Sequence, residues 1–277
     1  MRKLIIATGM GFSLSENQEF EKLAKIGWDG VFTGWDEQNG NVETAKAIRD
    51  LGLYYQSIHA PFNKVNKLWL EGKDGDDEAE RQINCLRAAS EIGVDIVVTH
   101  TYIGFDDFTP TQLGVDRYGK IFTEAEKLGV KVALENTEGE PCLDKLLTTF
   151  KGNKFVGFCI DTGHEMCYNY SHDLITKYGS QLIATHLNDN MGITTDKIFW
   201  HDDAHLLPFD GIADWQGIAN RLNAVGFDGP LTFELTSKSK PNRNTHDIYN
   251  GMDYDAFCTL AFEKAKKFRN MVENGKN

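Results

Sequence analysis

No stretch of about 18 consecutive apolar residues, the length a membrane-spanning helix needs, occurs in this 277-residue chain. The amino terminus, MRKLIIATGM, has too short an apolar run for a signal peptide. Cysteine is scarce: Cys85, Cys142, Cys159, Cys167 and Cys258 form no CxxC pair and sit in apolar or helical contexts. Such thiols read as reduced, buried side chains of a cytoplasmic protein, not as disulfides, nucleophiles or metal ligands. Positive charge is also short. Lysine and arginine total 29 against 41 acidic residues, a formal net charge of -12. That balance argues against nucleic acid and membrane as partners, since both want a basic face. Bound divalent cations would offset part of it. Missing too are a low-complexity linker and a GxGxxG turn after the first apolar segment. The first absence favours one domain over residues 1–277, and the second weighs against a doubly wound dinucleotide-binding sheet.

What is present is a repeated punctuation: KIGWDG, DLGLYY, EIGVDI, KLGVKV and AVGFDG. In each, a helix-like segment reaches a glycine and an apolar residue opens the next segment. Gly27, Gly52, Gly93, Gly129 and Gly226 suit the left-handed position just past a helix end. Short β-rich runs follow them: GVFTG, YYQSIHA, DIVVTHTY, KVALENT and PLTFELT. LIIATG, FVGFCIDTG and LIATHLND complete eight candidate strands. Helices are expected over 17–26, 42–51, 76–92, 112–128, 213–225 and 253–269, with weaker signals near 143–150 and 171–180. In 76–92, Ile83, Leu86, Ala89 and Ile92 share a face and Asp77 precedes Arg81 by one turn. Near-continuous apolar strands alternating with helices predict a parallel sheet buried on both faces. At this length the α/β expectation is a closed eight-stranded (β/α)8 TIM barrel.

A barrel of this kind carries its active site at the carboxyl ends of the strands. Here those ends hold His59, His100, Glu135, Asp161 (with His164 one turn further), His186 and Glu234. A lone histidine or glutamate at such a place is usually a hydrogen-bonded core or rim residue. Together they mean something else. Several carboxylates crowded at one rim repel one another and resist desolvation unless cations neutralise them. A divalent metal is the simplest remedy, so Asp161 and His164 are expected to be convergent ligands and not a turn cap. The stretch 190–212 is too long for an ordinary connection and reads as an active-site loop. It contains Asp203 and His205 as a D-x-H pair. Trp69, Phe199 and Trp200 are candidate walls for a sugar ring or a base, with core packing as the alternative. His172, His201 and His246 are read as surface or structural histidines.

The ordered set HAPF, LENTEG, IDTGH, HLNDN, DAHLLPFDG and FEL resembles the xylose isomerase-like TIM-barrel superfamily, which groups sugar isomerases and epimerases with endonuclease IV. The resemblance covers nearly the whole chain. It implies a shared metal held by Glu135, Asp161, His186 and Glu234. The endonuclease branch implies two more zinc ions, one on His59 and His100 with bridging Glu135, the other on His164, Asp203 and His205. All those residue types are present. Against that branch stand the acidic composition and Phe62, where the endonucleases would offer a tyrosine to DNA. The lysine motif of true xylose isomerase and the E-P-x-N pattern of ketose 3-epimerases are both missing.

The expected cofactor is one divalent metal, Mn2+, Zn2+, Co2+ or Mg2+, with up to three Zn2+ if the endonuclease-like site is complete. The expected activity is isomerisation or epimerisation of a hydroxy-ketone or hydroxy-aldehyde sugar, or its phosphate, through an enediolate. Glu135 and Glu234 would move the proton, with His59, His100, His164 and His205 binding hydroxyls or shuttling protons. One alternative is a tri-zinc phosphodiester hydrolase on abasic DNA. The other is a non-catalytic sugar- or metal-binding module.

Overall fold

The computed structural model describes residues 1–275; Lys276 and Asn277, the end of the expected 1–277 unit, lie outside the described residues. Strands and helices alternate from the start: β1 Leu4–Ala7, α1 Glu16–Ile26, β2 Gly30–Gly34, α2 Val42–Asp50, β3 Tyr54–His59, α3 Lys73–Glu91 and β4 Ile96–His100. The middle of the chain adds α4 Gln112–Leu128, β5 Lys131–Glu135, α5 Glu140–Thr149 and β6 Val156–Asp161. Then come α6 Thr162–Cys167, α7 Leu174–Tyr178, β7 Leu182–His186, α8 Trp215–Ala224, β8 Leu231–Phe233 and α9 Tyr254–Asn274. All strand pairings are parallel, in the order β7-β6-β5-β4-β3-β2-β1-β8. A parallel bridge between Leu187 and Phe233 joins the two ends, so the sheet closes as the TIM barrel expected. Among the described residues no helix is long and apolar enough to cross a membrane.

The punctuating glycines do what their spacing implied. Gly27 ends α1 at φ 110° and Gly129 ends α4 at φ 72°, each donating its N–H back into the last turn. The start of α1 is fixed by a capping box between Ser15 and Gln18. Other boundaries move. Helix α3 begins at Lys73, and Asp77 pairs with Lys73 at 2.6 Å. Arg81 instead reaches Glu37 and Glu78, so the Asp77–Arg81 pair does not form. The weak signals near 143–150 and 171–180 become α5 and the short α7, while α6 went unrecognised. All five cysteines are free and buried.

Alternation along the strands separates two cores. Most apolar side chains pack between the sheet and the helices. Val98, Ala133, Cys159 and Ala184 form a second cluster of small residues. Each lies two positions before His100, Glu135, Asp161 or His186, so cluster and polar residues share a face of the sheet. Register then sets the polar residues side by side, with His100 opposite Glu135 and Asp161 opposite His186. The barrel bore is filled below, and its acidic and imidazole groups gather at one mouth.

Candidate metal centre

Glu135 lies at the middle of that mouth and is 1% exposed. Its Oε1 is 3.1 Å from His186 Nδ1 and its Oε2 is 3.2 Å from His59 Nε2. His100 Nε2 approaches the same Oε2 at 3.5 Å. Glu234 brings its Oε2 to 3.0 Å from His186 Nδ1, so one imidazole nitrogen faces two carboxylates. Donor atoms of Glu135, Asp161, His186 and Glu234 all fall within 4.8 Å of one another. The same holds for His59, His100 and Glu135, and for Asp161, His164 and His205. This is an arrangement a divalent cation fits: the buried carboxylates of Glu135 and Asp161 and the half-buried one of Glu234 converge with one imidazole. Among the described residues no lysine or arginine is paired with any of the three.

Outer hydrogen bonds orient the rings. Nδ1 of His59, His164 and His205 meets the carbonyls of Ala60, Asn136 and Glu234 at 2.8, 2.9 and 3.0 Å. Phe32 stacks on His186, and Phe62 stacks on His100. Asp161 acts in both ways. Its Oδ1 accepts the backbone N–H of His164 at 2.7 Å and caps α6, while Oδ2 accepts Asn188 Nδ2 at 2.8 Å. The carboxylate is a cap and a donor in the cluster, which corrects the expectation that it would not cap. An N-cap uses one oxygen and leaves lone pairs free.

Electrostatics separate the carboxyl groups. Burial raises Asp161 to about 6 despite His164 and His205 nearby. Burial also pushes Glu234 upward, but His186 outweighs it and holds the group at about 2. Burial lowers His205, and Asp203 more than reverses that, to about 9. Asp203 Oδ1 is 2.9 Å from His205 Nε2 and 3.5 Å from His164 Nε2.

Two wall candidates part company. Trp69 is 1% exposed, with Nε1 donating to the Thr101 carbonyl at 2.7 Å, so it is a core residue and not a substrate wall. Trp200 and Phe199 are 41% and 39% exposed at the rim. His246 is buried, His172 is exposed and pairs with Glu140, and His201 stacks edge-on with Trp200. Sequence reading missed Asn136, Asn188, Phe32 and Lys240. Asn136 and Asn188 stood inside the quoted LENTEG and HLNDN runs, whereas Phe32 and Lys240 gave no local signal. Beside the mouth a groove of about 780 Å³ is lined by Phe105, Glu138, Tyr168 and Ile198 among others, a size suited to a small molecule.

Residues 20–253 match the family model described as xylose isomerase-like TIM barrel. The chain belongs to that family. Among curated members, an uncharacterized protein of Sinorhizobium fredii, y4fM, is 28% identical over 69% of each chain. A probable endonuclease 4 of Cenarchaeum symbiosum is 27% identical over 41% of this chain and 42% of its own. A solved D-psicose 3-epimerase of Clostridium cellulolyticum superposes with a TM-score of 0.74 at 17% identity, covering 98% of this chain and 99% of that one. A xylose isomerase-like TIM barrel/4-hydroxyphenylpyruvate dioxygenase fusion protein gives 0.76 at 17% identity. This xylose isomerase-like chain is covered in full by that match and spans 45% of the fusion. At such identities the two structures speak for the fold.

Proposed function

We propose that the protein is a metal-dependent isomerase or epimerase of a hydroxy-ketone or hydroxy-aldehyde sugar. One observation carries the reading: Glu135 and Glu234 reach the same His186 nitrogen from two strands, at 3.1 and 3.0 Å. Glu135, Asp161, His186 and Glu234 would hold one divalent ion, and Mn2+, Zn2+, Co2+ and Mg2+ all suit that donor set. A cation bound there supplies Lewis-acid polarisation of a carbonyl, which acidifies the neighbouring C–H. Glu135 and Glu234 are each anionic when their histidines are charged; beyond His186, Glu135 turns its Oε2 to His59 and His100, and Glu234 keeps its Oε1. One takes the proton from carbon and the other returns it, on the opposite face for epimerisation or at the next carbon for isomerisation. His59, His100, His164 and His205 bind hydroxyls around them. Family membership and the sugar epimerase among the fold neighbours support this reading.

Solvent exchange tests it. With metal bound and a panel of free ketoses and ketose phosphates in D2O, deuterium enters the sugar at carbon beside the carbonyl. Glu135→Gln and Glu234→Gln both lose this exchange while retaining fold. Binding without exchange across the panel would leave a non-catalytic module.

A second reading, tri-zinc hydrolysis of abasic DNA, draws on two further groupings of metal-competent side chains at the mouth and on the distant endonuclease relative. Against it stand the net charge of -12 and the exposed Phe62 beside His100. Cleavage of an abasic duplex by the zinc-loaded protein decides between them.

A further inference from the structure

The structure assigns Lys240 a part in choosing how many ions the mouth holds: its ammonium sits where charge from an extra cation on Asp203 would act, and it disfavours that ion. The inference rests on the central ion proposed above. Asp203 is 6% exposed and both its oxygens are engaged. Oδ1 faces His205 Nε2 and His164 Nε2, and Oδ2 is 3.2 Å from Lys240 Nζ. Lys240 is not a loose surface lysine. Its ammonium also lies over the Trp200 ring, 5.8 Å from the centroid. Three residues on, Arg243 holds Asp202 at 2.9 Å and Thr194 at 3.1 Å. The connection from β8 to α9 thus clamps the long β7–α8 loop at two successive aspartates.

The electrostatic consequence differs between clusters. A dication on Asp161, His164, Asp203 and His205 would share a buried carboxylate with the half-buried Lys240 ammonium, 3.2 Å away, so solvent screens only part of their repulsion. Asp161 gives little relief, since its oxygens already accept His164 N–H and Asn188 Nδ2. The central cluster has three carboxylates and, among the described residues, no such cation. Lys240 therefore tilts the protein toward the ion count of a sugar enzyme.

Cobalt(II) titration of metal-stripped protein, followed by calorimetry and the visible spectrum, measures this directly. Lys240→Met keeps the stem over Trp200 and removes the charge. It is expected to bind one more ion than wild type, or the same last ion about tenfold or more tightly. Lys240→Arg behaves as wild type. The gain disappears in Lys240→Met combined with Asp203→Asn, which keeps the shape of the cluster. Equal ion numbers and affinities in wild type and Lys240→Met overturn the inference, as does a wild type that fills the Asp203 cluster as tightly as the central one. Failure of the central-ion reading shows separately, as a first ion that Glu234→Gln binds as tightly as wild type does. Circular dichroism of each variant controls for folding.

Discussion

The imidazole of His186 lies flat against the ring of Phe32, with centroids 4.6 Å apart and planes 9° from parallel. His186 Nε2 is buried and has no hydrogen-bond partner, so no donor or acceptor fixes the ring from that side. Ring stacking from β2 replaces the outer hydrogen bond that His59, His164 and His205 enjoy. Phe32→Leu removes the flat surface but stays apolar. Orienting partners of metal-binding histidines are worth about 10- to 100-fold in affinity, and the lower end is expected here. Competition with a chelator reads this out, and an unchanged affinity would show that the carboxylates alone hold the ring.

Asp161 divides its work between helix capping and the cluster, and two substitutions separate them. In metal-free protein, Asp161→Ala loses the cap of α6 and costs about 1–2 kcal/mol. Asp161→Asn keeps a capping oxygen for His164 N–H and removes one of three crowded negative charges. Its amide would face the Asn188 Nδ2 that now donates to Oδ2. Asn188 Oδ1 is buried without a partner, so a flip of that amide accepts the new donor. Metal-free Asp161→Asn is expected to melt at or above wild type, while its ion affinity falls steeply. A melting temperature as low as that of the alanine variant would refute the flip.

The fold was legible because its signals are local. Helix-ending glycines and apolar runs of β-rich residues gave all eight strands, most of them running one to three residues past the observed carboxyl ends. The convergence of Glu135, Asp161, His186 and Glu234 was legible for the same reason: they lie at or just past strand ends, where position along the chain implies position at the mouth, while the choice of these four as ligands came from the family resemblance. What escaped depends on packing across the barrel. Nothing near Phe32 in sequence points to His186, which is three strands away through the closure. Nothing near Lys240 points to Asp203. Helix α6 was missed because its six residues overlap the very motif read as ligands.

Trp69 was open between wall and core in the sequence, and its burial makes it core. Its ring lies on helix α4, where a Cβ on Gly114 would fall 2.1 Å from Trp69 Cε3. Gly114→Ala therefore sets two effects against each other. Helix propensity favours alanine by about 1 kcal/mol, whereas forcing a methyl into a packed core costs about 1–3 kcal/mol. Backbone on one side and a fully buried indole on the other leave no slack, so a net loss of stability is expected. Trp69→Ala should cost about 3–5 kcal/mol. Denaturant melts check both, and a stabilised Gly114→Ala would mean that Trp69 moves freely.

His246 supplies a pH dependence away from the carboxylate cluster. Its backbone N–H donates to Ser239 Oγ, and its Nδ1 is 2.9 Å from Thr245 Oγ1. Nε2 is buried without a partner. Burial first, then the charges of His205 and Lys240, lower its pKa to about 4. Unfolded, it titrates at the ordinary 6.5. Between those values the unfolded chain binds the proton and the folded one does not. Stability from this residue is thus complete above pH 6.5, falls as pH drops toward 4, and levels below. A single group limits the slope to about 1.4 kcal/mol per pH unit. Substituting His246→Gln keeps a polar side chain and removes the titration. From pH 7 to 4 the wild-type urea midpoint should fall relative to that of His246→Gln, because only wild type pays to leave the ring neutral. Parallel midpoints would place the ring in contact with water and leave its proton free to bind in the folded state.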